Sequence, residues 1–256
     1  MDFVLNGFLL IKMKAKGTER KKEKKKVGKR LEKKDHKEEI KKKSPKILVF
    51  CAHPDDQIFG PGGTIARYAK EGKKIYTYIF SYGEMYPIWV KQKINIGVRV
   101  KEAQDADKVI GGSGVTFFGL KEGQFFKEYQ EKKLNEKIKR ILLQKNPEKI
   151  FIHSINDPHP DHKAIYTIIT SLVDVLGLKT EIYSFDVWNP INFRERNEPK
   201  MFVDISKTFK LKLKALHCFR SQQVPLLFLL WSVYVRGFIN GIRSSNLVAE
   251  RFIKVK

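Results

Sequence analysis

The 256-residue chain has two cysteines, Cys51 and Cys218, far apart in sequence. That excludes a disulfide framework and a metal site built on paired cysteines. Both thiols are expected to be buried, reduced packing residues. Acid is scarce as well: 28 Asp and Glu stand against 51 Lys and Arg, a formal net charge of +23. No apolar run approaches the ~20 residues of a membrane span. The strongest, VPLLFLLWSVYV (224–235), reads as a buried helix or an oligomer interface in preference to membrane contact. Neither a GxxxxGK[ST] phosphate loop nor a GxSxG nucleophile elbow is present, which argues against P-loop chemistry and elbow-type serine hydrolysis. The turn GGSG (111–114) lies on the wrong side of its strand to be a nucleotide fingerprint.

The positive charge is unevenly spread. Residues 1–46 hold 18 Lys/Arg and 7 Asp/Glu, nearly half of the net excess on under a fifth of the chain. Residues 1–45 are therefore expected to form a Lys-rich, disordered, solvated arm, because they cannot bury enough surface to offset ordering entropy. An electrostatic tether to nucleic acid or acidic lipid is compatible with that reading. The opening MDFVLNGFLLIKM is about half a membrane span and lacks a basic n-region and a cleavage site. Cytoplasmic residence is expected, with peripheral membrane contact through residues 1–13 as the alternative.

From residue 46 the pattern changes. KILVFCA (46–52), KIYTYIF (74–80), VTFFGL (115–120), KIFIHS (149–154) and EIYSFDVW (181–188) read as strands. Between them, 62–72, 97–112, 131–146 and 161–177 read as helices, several closed by Gly or Pro. A helix is also expected over 206–223 and a loop over 189–200. Strands alternating with helices of this length predict βαβ units in one domain, residues 46–256. The fold class is α/β, a Rossmann-like three-layer sandwich with a mostly parallel sheet covered on both faces. Ligands in such folds bind beyond the carboxyl ends of the strands.

Two clusters fall at those ends: AHPDDQ (52–57) after the first strand and NDPHPDHKA (156–164) after the fourth. Each alone reads equally as a turn with an Asp cap. Two such clusters on one sheet edge point to chemistry. His53, Asp56 and His162 offer two imidazoles and a carboxylate, which suit Zn²⁺ and leave a fourth position for water. Zinc acidifies such a water and polarises a carbonyl oxygen. Asp55 is the adjacent candidate general base, and His159 could support an oxyanion. The inventory fits metal-assisted hydrolysis of an amide or ester.

These residues resemble the LmbE-like, or PIG-L, zinc-dependent de-N-acetylases. AHPDD and HPDH look like that family's paired motifs. RVKEAQDADKVIGGSGVTFFGLKEG (99–123), VDISKTFKLKLKALHCFRSQQ (203–223) and AERFIKV (249–255) extend the likeness to about residues 46–256. The resemblance implies removal of acetyl from an N-acetylglucosamine-type substrate, free, in an oligosaccharide or inositol-linked. His53, Asp56 and His162 would hold zinc. Asp55 would activate the zinc water and then protonate the leaving amine, and His159 would stabilise the oxyanion as an imidazolium. Arg99 occupies the family's substrate-contacting arginine position, against a plain helix ion pair with Glu102. Glu122 falls where an acidic residue binds sugar hydroxyls. The chain departs from the family at Gln57, where a glutamate is usual. Tyr82 or Tyr86 lines the sugar pocket or packs in the core. Specificity is expected in loops 81–96 and 187–200 and in the C-terminal region. A homo-oligomer is compatible with the sequence. The rival readings are a zinc hydrolase of another amide or ester, and a non-catalytic protein that binds anions or nucleic acid through its arm.

Overall fold

Successive side chains of the first strand point to opposite faces of the sheet, and that alternation sets the layers. In the computed structural model, which describes residues 45–84, 92–188 and 198–256, strand β1 (Lys46–Cys51) is central to a seven-stranded sheet. Ile47, Val49 and Cys51 enter the core on one face, and Leu48, Phe50 and Ala52 the core on the other. A strand buried on both faces must be apolar throughout, and KILVFC is so after its first residue. The expected arm and Tyr86 lie outside the described residues, as do large parts of the two expected specificity loops.

The strand order is β3-β2-β1-β4-β5-β7-β6. Here β2 is Lys74–Ser81, β3 Val115–Leu120, β4 Lys149–His153, β5 Glu181–Phe185, β6 Lys200–Asp204 and β7 Ala249–Lys254. Strands β1 to β5 pair in parallel, and β7 runs antiparallel between β5 and β6. The chain therefore winds outward from β1 through β2 to β3, then returns to place β4 on the other side of β1. That reversal opens a crevice between the carboxyl ends of β1 and β4, where the two clusters lie.

Helices cover both faces. The short α1 (Asp56–Phe59) follows the first cluster, and α2 (Gly62–Lys70) and α3 (Gln92–Ile110) pack on the Val49 face. On the Phe50 face lie α4 (Phe125–Glu131), α5 (Leu134–Lys145) and α6 (Pro160–Val175). The Val49 face is completed by α7 (Phe209–Leu216) and α8 (Gln223–Arg243).

Three expectations change in detail. The helix expected over 131–146 begins only at Leu134, because Lys133 takes a left-handed conformation (φ 48°) that separates α5 from the shorter α4 before it. The helix expected over 206–223 stops at Leu216, and a 3₁₀ turn at Arg220–Gln222 leads into α8. The apolar run at 224–235 does form helix, but α8 continues to Arg243. Its Gly237 and Gly241 are close-approach positions: an added Cβ would lie 2.9 Å from Val248 Cγ1 at the first and 2.6 Å from the Leu247 carbonyl oxygen at the second. Cys51 is buried as expected, whereas Cys218 is only half-buried; both are free thiols.

One carboxylate ties the last strand to the first helices. Glu250, on β7, accepts hydrogen bonds from the backbone N–H groups of Gly63 (2.9 Å) and Thr64 (2.7 Å) in the first turn of α2. Those donors have no partner inside the helix, and a carboxylate there also complements the helix dipole. Lys212 of α7 donates to the same carboxylate at 2.6 Å and to the carbonyls of Phe59 and Gly60, each at 2.9 Å. The ammonium is buried and its three hydrogens have three acceptors.

Candidate metal and catalytic site

The HPDD turn is built by its own backbone. His53 N–H donates to Asp56 Oδ2 (2.8 Å), and the Asp55 carbonyl accepts from Ile58 and Phe59. Gln57 is buried, and its Nε2 donates to the Pro54 carbonyl at 2.9 Å. A glutamate carboxylate has no hydrogen to donate there. The departure from the family pattern thus supplies a brace across the turn.

The turn meets the second cluster at one point. Asp56 Oδ2 lies 3.4 Å from His53 Nδ1 and 3.4 Å from His162 Nε2. The other nitrogen of each ring faces another carboxylate: His162 Nδ1 is 3.0 Å from Asp157 Oδ1, and His53 Nε2 is 3.5 Å from Asp161 Oδ2. Carboxylates behind imidazoles in this way orient the rings and raise their basicity as ligands. Burial opposes charge on Asp56, but the neighbouring His162 and His153 outweigh it and hold the carboxyl well below the usual carboxylate range.

Three overlapping groups could hold a metal ion: His53/Asp56/His162, His53/His159/Asp161 and His153/Asp157/His162. The last two are engaged elsewhere. His153 Nε2 accepts the Ala52 N–H (3.1 Å), and His159 Nδ1 accepts the Asp161 N–H (3.2 Å). Asp157 accepts backbone N–H bonds from His159, Val187 and Trp188 at 3.0–3.1 Å, and Asp161 accepts from Gly123. By contrast, His162 Nε2 is buried with no hydrogen-bond partner. Two imidazoles and one carboxylate, braced from behind, fit a divalent metal.

Asp55 is beside this set and points elsewhere. Its carboxylate lies 3.5 Å from Arg99 Nη1, with 15% of the side chain exposed. Burial raises its pKa, Arg99 lowers it and Asp56 raises it again; the result is above the usual value. Arg99 is buried, with Nε and Nη1 unpaired by hydrogen bonds. The ion pair with Glu102 does not form; Glu102 instead accepts from Ser221 N–H (2.8 Å) and hydroxyl (2.6 Å). Gly83, at φ +68°, lies against the guanidinium: a Cβ there would be 2.5 Å from Nη2 and 2.8 Å from Pro54 Cδ.

A pocket of about 230 Å³ opens over the cluster, lined by His53, Asp55, Asp56, Arg99, Glu122 and His159, with Trp188, Gln222 and Leu229 on its far wall. All the residues expected at the site except His162 line it, and His162 lies immediately behind, its ring centroid 4.8 Å from that of His159. Tyr82 takes the packing role: its ring stacks on Phe117 at 5.4 Å and covers Gly119. A second cavity, walled by Lys212, Arg236 and Glu250, lies on the other side of Phe59 and contains none of these groups.

Sequence reasoning missed His153, Asp157 and Asp161. His153 ends β4 fully buried, its ring stacked on His162 at 3.7 Å, and burial followed by His162 lowers its pKa to about 4. A lone histidine closing an apolar strand was the available signal. Asp157 and Asp161 were in view inside NDPHPDH, but nothing in their spacing says which imidazole each one backs. Burial works against charge on Asp157, yet the hydrogen bond to His162 leads several contributions that hold it well below the usual range. Replacing Asp157 by asparagine is expected to weaken metal binding about 10–100-fold, measured by competition with a chromophoric chelator. An unchanged affinity would show that Asp157 only shapes the loop.

The fold is an α/β sandwich with an imidazole–carboxylate cluster at its switch point. The family model for PIG-L, the GlcNAc-PI de-N-acetylases, matches residues 48–173, from β1 through both clusters into α6. The chain belongs to this family. It is 26% identical over 190 residues to a probable N-acetyl-alpha-D-glucosaminyl L-malate deacetylase 2 of Bacillus cereus, covering 71% of this chain and 85% of the relative. It is also 26% identical to the 1D-myo-inositol 2-acetamido-2-deoxy-alpha-D-glucopyranoside deacetylase of Rhodococcus jostii, covering 52% of this chain and 54% of that one. The chain thus spans about half the length of this second relative. Among solved structures, N,N'-diacetylchitobiose deacetylase from Pyrococcus horikoshii shares the fold with a TM-score of 0.68 at 20% identity, over 84% of this chain and 85% of its own. GalB, the 4-carboxy-2-hydroxymuconate hydratase from Pseudomonas putida KT2440, shares it at 0.71 and 22% identity, over 83% and 96%.

Proposed function

We propose that the chain is a zinc-dependent N-deacetylase that releases acetate from an N-acetylglucosamine-type glycoside. One observation carries this reading: Asp56 Oδ2 stands 3.4 Å from both His53 Nδ1 and His162 Nε2. Bonds of about 2.0–2.1 Å at tetrahedral angles give ligand–ligand edges of about 3.3–3.4 Å. The family and the curated relatives support acetylated amino sugars as the substrate class. The fold does not choose the reaction, since it also carries a hydratase.

Zinc held by His53, Asp56 and His162 supplies acidification of a water and polarisation of the acetamide carbonyl. The protein's own groups do the rest. Asp55 takes the proton from the attacking water as the new C–O bond forms, then delivers it to nitrogen as the C–N bond breaks. The products are acetate and a free amine. Arg99 holds Asp55 in position. His159 faces the developing oxyanion. Its Nδ1 accepts the Asp161 N–H, so Nε2 carries the hydrogen and donates from a neutral ring. A neutral donor is thus an alternative to the imidazolium implied by the resemblance, and burial, which lowers the His159 pKa, supports it. Glu122, on the pocket wall, is placed to accept from sugar hydroxyls.

Metal content by atomic emission, measured together with acetate release from N-acetylglucosamine, its dimer and an inositol-linked form, tests the proposal. Stoichiometric zinc and acetate release dependent on it are expected. Zinc without acetate from any of these would overturn the substrate class, and absence of bound zinc would overturn the mechanism.

A further inference from the structure

The outward face of α8 is built for something other than water. Leu227, Trp231, Tyr234, Phe238 and Ile242, spaced four, three, four and four residues apart, form a single stripe at helical period. All are exposed, Leu227 at 77% and Ile242 at 80%, with Ile239 beside them and Leu247 just beyond the helix. Among the described side chains of α8 the one exposed charge is Arg243, at its end. The opposite side is the packed one: Leu229 and Val233 enter the core, and Ser232 and Asn240 are buried. A contiguous apolar patch of this kind marks an interaction surface.

Charge identifies the occupant. From Ser206 through Ala249 the sequence contains no Asp or Glu but seven Lys and Arg. Five of them, Lys207, Lys210, Lys214, Arg220 and Arg243, are exposed. Helix α7, which carries two of these, packs on α8 through Phe209, whose ring lies 5.4 Å from Tyr234 and 6.4 Å from Phe238. A second copy docked stripe to stripe would oppose cations with cations, as a two-fold contact requires. An anionic bilayer surface neutralises them and takes up the apolar stripe. Trp and Tyr suit the headgroup boundary, and an amphipathic helix with basic flanks is the usual form of an in-plane membrane contact. No helix among the described residues is long and apolar enough to cross a membrane; α8 would lie on one.

We infer that α8 is a membrane-interfacial helix that seats this protein on anionic lipid, independently of the reaction it performs. Leu229 and Gln222, at the start of α8, also line the pocket over the metal cluster. The stripe and the pocket thus lie on different sides of one helix.

The test uses the full chain with vesicles of phosphatidylglycerol and phosphatidylcholine in 0.5 M salt, where electrostatic attraction of the Lys-rich segment is largely screened. Expected results are co-sedimentation with these vesicles and quenching of tryptophan emission by lipids brominated along the acyl chain. Trp231→Phe should remove the share of that quenching owed to Trp231, leaving at most what Trp89 and Trp188 contribute. The double variant Leu227→Glu/Ile242→Glu, with circular dichroism and metal content equal to the parent, should partition at least tenfold more weakly. At 0.1 M salt, where surface charge still acts, pure phosphatidylcholine vesicles should bind several-fold less than the mixed ones. Unchanged partitioning of the double variant, or quenching that is undiminished in Trp231→Phe, would overturn the inference. So would a parent that is dimeric by sedimentation equilibrium, becomes monomeric on the same substitutions and ignores vesicles.

Discussion

Asp55→Asn is expected to keep the fold and the metal while lowering acetate release by roughly 10²–10⁴-fold, the usual worth of a positioned general base. The geometry separates the two adjacent aspartates. Asp56 is buried at 2% exposure within reach of three imidazoles, whereas Asp55 reaches the pocket and pairs with Arg99 at 3.5 Å. Asparagine preserves size and the contact with Arg99 through its carbonyl oxygen, but it takes no proton at neutral pH. The measurement is kcat with zinc content determined on the same sample. Loss of zinc in Asp55→Asn would make this residue a ligand, and full activity would remove it from the reaction. Asp56→Asn should behave differently, losing metal first.

The largest effect on stability is expected far from the pocket. Glu250→Ala leaves the Lys212 ammonium buried without its counter-charge and strips two N–H groups in the first turn of α2 of their acceptor. Breaking a buried pair by removing one partner costs about 3–5 kcal/mol. In a domain of this size that lowers the melting temperature by roughly ten degrees. Differential scanning calorimetry on the zinc-loaded protein checks it. Glu250→Gln, whose single amide oxygen can accept from only one of the two N–H groups, should lose less than the alanine variant but not match the parent. The double variant Lys212→Met/Glu250→Ala should recover part of the loss, because no buried charge is then stranded. Equal melting temperatures for Glu250→Ala and the parent would mean that water reaches this network and screens it.

The parallel half of the sheet was legible because its strands are buried on both faces and are read as short apolar runs between helices. The edge beyond β5 was not. β6 (KMFVD) is a short edge strand that shows no alternation to distinguish it from a loop. β7 (AERFIK) carries Glu250 and Arg251 in mid-strand, which argues against a strand until Lys212 and α2 are seen to consume the carboxylate. The break at Lys132–Lys133 was equally hidden. Lysine is a good helix former, and only the packing of α4 and α5 as separate elements requires a left-handed residue there.

At the site, the proposed ligand triad and base came into view because two motifs sat after two strands of one predicted sheet, and the structure brings His53, Asp56 and His162 together. What could not be read was the backing layer. Asp157 and Asp161 have roles set by which ring nitrogen each one faces, a property of ring rotation about χ angles. The role of Gln57 was hidden for the same reason, since it depends on where the Pro54 carbonyl points. The exposed stripe on α8 was visible as an apolar run, but from sequence alone such a run reads as core.

Glu250 also has a bearing on biosynthesis. Helix α2 follows the HPDD turn after the single turn of α1, and its own first turn is closed by a carboxylate 187 residues further along the chain. The ribosome therefore makes both histidine–aspartate clusters well before the residue that fixes the helix behind the first of them. A nascent chain that has passed His162 owns every proposed ligand but not yet the brace. The brace behind the HPDD turn can form only after β7 has been synthesised, so firm loading of the proposed metal site is expected late in maturation rather than on the growing chain.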